Sequence, residues 1–189
     1  PYTLDADTAD LILAVSGDTV HVATAAGPVQ PSADPARRLS RPTGGTLLAE
    51  GPHVRLAAAH AAEVATLVTA AQALGLGRAL LQKTVAHVRQ RHQFGRPIGS
   101  FQAVKHRLAD VLVALEFAEP LVHAGALSLA SATVRAGRDK AAAKAATGDA
   151  AHFAARTALQ CHGAVGYTEE LDLSLWIRKA RALRAAWGT

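Results

Sequence analysis

Methionine is absent from the 189-residue chain, cysteine occurs once, and aromatic residues make up only 4%. Each shortage excludes something. A lone thiol, Cys161, allows neither a disulfide framework nor a thiolate metal cluster within the chain, which fits a reducing, cytoplasmic setting with no metal site. No apolar run reaches the roughly 18 residues needed to span a bilayer, and no signal peptide opens the sequence, so no membrane partner is expected. The Lys and Arg residues behind the net charge of +5 are scattered rather than gathered into one patch with interleaved aromatics. That pattern argues against nucleic acid and leaves an anionic small ligand as the natural use of the charge. Half of the residues are hydrophobic. With so few aromatics, the apolar content is alanine, leucine and valine, a composition suited to closely packed helices.

The N-terminal stretch reads as β structure. Leu11–Val15 and Thr19–Ala23 are short β-type runs on either side of Gly17-Asp18, a hairpin signal. Residues 27–44 are rich in proline, glycine, serine and threonine and read as loop with an extended piece or two. Thr46–Ala49 is a further strand, and Gly51-Pro52 closes the region. Strands this few do not make an independent domain, so residues 1–50 read as part of a β domain. With strand-like sequence so close behind Pro1, the chain itself reads as a fragment or a processed subunit.

From His53 the apolar spacing turns helical and holds to Arg89, with Gly75 and Gly77 inside the helix as expected points of close helix approach. A second helix is expected from Phe101 to Ala136, kinked at Pro120 and ended by Gly137. A third, alanine-rich helix runs from Arg138 to Cys161 and a fourth from Leu171 to Ala186. The expected fold is mainly α: an up-and-down four-helix bundle over residues 53–189, preceded by the short β region.

Two turns between these helices carry chemistry. Arg91–Gln102 reads Arg-His-Gln-Phe-Gly-Arg-Pro-Ile-Gly-Ser-Phe-Gln. Gly95 and Pro97 forbid a continuous helix, and Ser100 is placed to cap the next one. Arginines and amides beside a helix terminus suit a phosphate or pyrophosphate; a solvated loop whose phenylalanines plug the bundle is the alternative. Leu159–Glu170 reads Leu-Gln-Cys-His-Gly-Ala-Val-Gly-Tyr-Thr-Glu-Glu. Its glycines suit either a turn that exposes amides to a ligand or an ordinary helix C-cap.

Together the two turns resemble the acyl-CoA dehydrogenase family. Arg-x-Gln-Phe-Gly-x-Pro-Ile followed by Phe-Gln and Leu108–Asp110 is similar to that family's flavin-contacting turn, and Leu-Gln-x-His-Gly-x-x-Gly-Tyr-Thr to its second one. The closing Gly188-Thr189 fits as well. The resemblance implies an FAD shared between subunits, with this domain holding the adenine and pyrophosphate end and the neighbouring subunit the flavin ring. Carried over, Arg91 pairs with the pyrophosphate, Gln93 and Phe94 line the same pocket, and Gln102 lies near the adenosine. Gln160, with the Gly163-Ala164 backbone, meets the adenosine from the other side. A homologous acyl-CoA dehydrogenase subunit is the implied partner, in a dimer or dimer of dimers, and an acyl-CoA is the implied substrate of the assembled enzyme.

The chain departs from the family at the catalytic base. Most members carry a glutamate just before the closing Gly-Thr, where this chain has Trp187; a smaller group carries it on the first helix of the domain, where this chain has Ala65, followed by Thr66. Neither Trp nor Ala accepts a proton. Glu63 is turned roughly 200° from the Ala65 face on a helix and is the one substitute weighed. Glu169 and Glu170 are expected to cap the last helix. The residues corresponding to the family's N-terminal helical domain and first half of the β domain have no counterpart here. Three readings follow: a non-catalytic subunit of a heteromeric enzyme, an active enzyme with an unusual base, or a flavin-free relic of the fold. The run Gly166–Leu175 looks closer to the heteromeric actinobacterial branch than to the ordinary fatty-acid enzymes.

Overall fold

The computed structural model describes residues 2–188, so Thr189 of the closing Gly-Thr pair lies outside the described residues. Strands β1 (Thr3–Leu4), β2 (Leu13–Ser16), β3 (Thr19–Val22), β4 (Val29–Gln30), β5 (Leu39–Ser40) and β6 (Thr46–Glu50) precede the first helix. β2 and β3 form the expected hairpin, with Ser16 opposite Thr19 and Gly17 at φ 60° in the turn. β6 pairs with the other edge of β3, giving the order β2-β3-β6, and a second small sheet has the order β1-β5-β4. The chain divides into two compact units, Pro1–Ala62 and Glu63–Thr189. The first turns of the first helix therefore group with the strands. Gly51, at the helix start, donates its N–H to the Asp18 carbonyl in the hairpin turn at 2.8 Å.

Four helices follow: α1 (Pro52–Gln90), α2 (Gln102–Ala130), α3 (Ala136–His162) and α4 (Leu173–Ala185). α2 ends six residues earlier than the sequence suggested, and Gly137 lies in the first turn of α3 instead of closing α2. The break is made by polar side chains. Ser128 Oγ donates to Asp139 Oδ2 at 2.6 Å, tying the last turn of α2 to the first of α3, and the Thr133 N–H bonds the Ser128 carbonyl at 3.0 Å. Pro120 lies inside α2 as expected. At 29 residues α2 is roughly 44 Å long.

Contacts along the helices give the directions of the bundle. Glu63–Lys140 and His87–His162 pair residues of α1 and α3 at nearly constant offset, so these helices run parallel. Gly77 lies against Leu115 and Gly125 against Leu67, so α1 and α2 run antiparallel. The core between them holds Leu80, Val111 and Leu115, while α3 contributes mainly alanine, including Ala143, Ala151 and Ala158. Contrary to the expectation from the sequence, α1 and α2 each contain a window of 18 residues long and apolar enough to cross a membrane. In this fold both helices supply residues to the bundle core.

Small residues permit the tight crossings, but not at both glycines singled out above. A β-carbon at Gly77 would lie 2.6 Å from Leu115 Cδ2 and 3.4 Å from the Ala151 Cα, whereas one at Gly75 meets nothing within 4 Å. Gly125, overlooked in the sequence, is a second such point, with Leu67 Cδ1 3.1 Å from its virtual β-carbon.

The C-terminal segment is tied back by a buried cation. Lys144, 3% exposed, donates from Nζ to the Arg184 carbonyl at 2.9 Å and the Gly188 carbonyl at 2.8 Å. Burial, with Arg184 nearby, holds its pKa below the usual lysine value. Thr66 Oγ1 donates to the Trp187 carbonyl at 3.1 Å, fixing the same segment to α1.

These packing relations generate two predictions. Gly77→Ala is expected to destabilise the bundle by about 1–3 kcal/mol through overpacking against the buried Leu115. Gly75→Ala should instead stabilise it by up to about 1 kcal/mol through helix propensity. Denaturant unfolding of the two variants side by side checks the pair, and equal effects would remove Gly77 from its assigned role. Lys144→Met strands two carbonyl acceptors and should cost about 1–3 kcal/mol. It should also speed proteolytic cleavage near Trp187, an effect read by mass spectrometry of limited digests.

Candidate functional site

The turn after α1 is a miniature hairpin. β7 (His92–Gln93) pairs antiparallel with β8 (Arg96–Pro97), and the tip residues Phe94 and Gly95 both take positive φ, 55° and 77°. Two consecutive left-handed residues are the requirement of a tight two-residue hairpin loop, which Gly95 meets without strain. Gly95 therefore forms the hairpin tip rather than stopping the helix, which ends at Gln90. The Ile98 N–H bonds the Arg91 carbonyl at 2.8 Å and closes the hairpin onto the end of α1.

A 3-10 turn, Ile98–Ser100, leads into α2. It shifts the cap by one residue: Phe101 takes the N-cap position with no side-chain hydrogen bond, and the expected cap, Ser100, has its Oγ buried without a hydrogen-bond partner. Phe101 is held by ring contacts instead. The Arg96 guanidinium lies 4.2 Å from its ring centroid and the Phe94 ring meets it edge-on at 6.1 Å.

At the end of α3, Gly163 takes φ 64° and its N–H returns to the Gln160 and Leu159 carbonyls. A second 3-10 turn, Gly163–Tyr167, follows. Gly166 is buried in it, and a β-carbon there would approach the Leu159 carbonyl oxygen to 3.1 Å. Glu169 and Glu170 do not cap α4, whose N-cap residue is Asp172; Glu169 pairs with Arg178 at 3.1 Å. The start of α4 lies beyond the glutamates, and the guanidinium on its second turn takes the Glu169 carboxylate.

Because α1 and α3 run parallel, the two turns meet at one end of the bundle. They line a cleft of about 620 Å³ that brings together Arg91, Gln93 and Phe94 from the first turn with Gln160, Gly163 and Ala164 from the second. Gln102 is not among the residues lining it. The apolar part of the wall comes from Ile98, Phe101, Val104 and Leu171. No carboxylate lines the cleft among the described residues.

The donor set is a guanidinium, two side-chain amides and a glycine turn, and the volume lies within the range of small-molecule sites. These features fit the adenosine and pyrophosphate half of a dinucleotide, with Arg91 as the partner of the phosphates and the amides facing neutral edges.

Two further wall residues were given no role in the sequence: His162, quoted within its motif, and His87, which lies outside both motifs. The rings of His87 and His162 stack, 3.9 Å between centroids and 24° between planes. His87 stands four residues before Arg91, which lies just past the end of α1 and bonds the His87 carbonyl through its N–H at 2.9 Å. The partnership with His162 needed the parallel alignment of α1 and α3 to become visible.

The two base positions also come together. Thr66, next to Ala65, bonds the carbonyl of Trp187. Glu63 has its carboxylate 2.6 Å from Lys140 Nζ, so the weighed substitute is engaged in an ion pair with α3.

Residues 57–189 match the family described as acyl-CoA dehydrogenase, C-terminal domain. Over 95% of its length the chain is 33% identical to the acyl-CoA dehydrogenase IpdE2 of Mycolicibacterium smegmatis, covering 54% of that protein. It is 35% identical, again over 95% of its length, to IpdE2 of Mycobacterium tuberculosis, covering 53%. The chain thus spans about half the length of the curated relatives it matches. Among solved structures, butyryl-CoA dehydrogenase from Megasphaera elsdenii superposes with a TM-score of 0.83 at 25% identity, over 98% of this chain and 54% of that one. The ChsE4-ChsE5 complex from Mycobacterium tuberculosis gives 0.81 at 26% identity, over 99% and 55%. A four-helix bundle with this paired-turn cleft, matched along most of its length, belongs to the acyl-CoA dehydrogenase family.

Proposed function

We propose that this chain is a subunit of an FAD-dependent acyl-CoA dehydrogenase that completes a shared FAD site and does not supply the catalytic base. The observation that carries the reading is the contrast between two places in one bundle. Six residues assigned to the cofactor converge on a single acid-free cleft, while neither position assigned to the base holds a proton acceptor. A flavin-free relic has no physical need for Arg91 and two amides around such a cleft. An unusual base is disfavoured at Glu63, whose carboxylate is committed to Lys140.

In this reading Arg91 holds the pyrophosphate by charge, Gln93 and Gln160 hydrogen-bond the adenosine portion, and the Gly163-Ala164 turn lets the backbone approach it. Bound FAD supplies the acceptor for the hydride removed from the acyl β-carbon. The α-proton is taken by a glutamate of a homologous partner subunit, in a cytoplasmic heteromer built as a dimer or dimer of dimers. Family relatives support this assembly by analogy: the ChsE4-ChsE5 structure is a complex of two different chains.

The test is the visible flavin spectrum and acyl-CoA-dependent flavin reduction of the chain, purified alone and co-expressed with acyl-CoA dehydrogenase homologues from the same genome. Bound flavin and turnover are expected only from the co-expressed pair. Turnover by the chain alone would overturn the proposal, and absence of flavin from both samples would favour a relic. In the pair, Arg91→Ala is expected to weaken FAD retention by about tenfold to a hundredfold, the worth of a charged hydrogen bond, as measured by flavin content after dialysis.

A further inference from the structure

The stacked imidazoles extend the cofactor reading and rest on it. We propose that His87 and His162 form a second, proton-dependent half of the anion subsite beside Arg91, and that a pyrophosphate binding in the cleft draws a proton from solvent onto the pair.

The geometry carries the argument. At 3.9 Å between centroids the two rings are too close to hold two positive charges with nothing between them and solvent to offset the repulsion. His162 Nδ1 lies 2.8 Å from the Ala158 carbonyl oxygen. That contact assigns the Nδ1 proton to the neutral ring and leaves Nε2 as the atom that gains one. His87 lies in the last turn of α1 and His162 in that of α3, where the carbonyl ends of both helices favour a cation.

The surroundings decide when the proton is accepted. Burial first, then His162 and Arg91, lowers the pKa of His87 below the ordinary histidine value. From α3, the Cys161 thiol is pushed up by burial and stays neutral, with Arg107 of α2 acting on it in the opposite direction. No carboxylate lines the cleft among the described residues, so nothing in its wall offsets the positive charges. Two charged imidazoles in this stack would therefore repel each other and Arg91 with no carboxylate in the wall to offset them. Two phosphate charges reverse that balance: they favour the cationic ring and turn Nε2 into a donor. Linkage then requires affinity to rise as pH falls through the histidine range.

The experiment uses the 189-residue chain and ADP-ribose, a pyrophosphate diester whose own charge is constant between pH 6 and pH 8. Calorimetry is expected to give binding about tenfold tighter at pH 6 than at pH 8, the effect of one pKa unit. Titrations in two buffers of different ionisation enthalpy should report net proton uptake near neutral pH. The double variant His87→Gln/His162→Gln should lose the pH dependence. Imidazole NMR shifts of the unmodified chain, with and without ADP-ribose, report the same proton without any substitution. ADP-ribose bound with equal affinity at both pH values, or with the same slope in the double variant, overturns the role of the pair and leaves the cofactor reading standing. No binding at either pH overturns the role of the histidine pair as well, and leaves the cofactor reading to the co-expressed pair, the sample in which bound flavin is expected.

Discussion

The crossing of α1 with α2 and α3 is governed by the absence of side-chain volume. Gly77 faces Leu115 and the Ala151 backbone, and α3 lines the core with alanine along its length. Closely spaced helices have little freedom to slide or rotate, because each small residue admits one particular neighbour. The up-down-up path of the chain makes α1 and α3 parallel, and this packing holds their C-terminal ends together. The cleft exists because two helices that end in polar turns end at the same height. Its walls are therefore positioned by core residues that do not line it.

This dependence explains what was legible in the sequence. Local signals sufficed for the hairpin at Gly17-Asp18, for the presence of four helices and for the two turn motifs, since each rests on residues that are neighbours in the chain. Boundaries set by side-chain hydrogen bonds were not legible. Gly137 looks like a helix stop in isolation, yet Ser128 and Asp139 reach across the connection and place the break earlier. Likewise Ser100 has the chemistry of a cap, but the 3-10 turn before α2 moves the cap position to Phe101. The difference between Gly75 and Gly77 is a matter of which face meets α2, and leucine at both 74 and 76 gives no cue to which glycine shares that face.

The same division runs through the site. Arg91, Gln93 and Phe94 could be grouped with Gln160, Gly163 and Ala164 from motifs alone, and one cleft contains all six. Gln102 belongs to the same motif but stands one residue past the cap, on the first turn of α2 and off the cleft wall. His87 and His162 are 75 positions apart and carry no motif between them, so only the helix alignment discloses their stack. Glu63 is weighed from the sequence as a substitute base, and its pairing with Lys140 across the bundle was not legible there.

The anchoring of the C-terminal segment separates place from identity. Lys144 and Thr66 grip the carbonyls of Arg184, Trp187 and Gly188, and no side chain of the segment takes part in those bonds. Backbone attachment of this kind is indifferent to what residue 187 is. The fold can therefore keep the segment in position while its chemistry is exchanged, and a chain that surrenders its base there loses a reaction without losing an architecture.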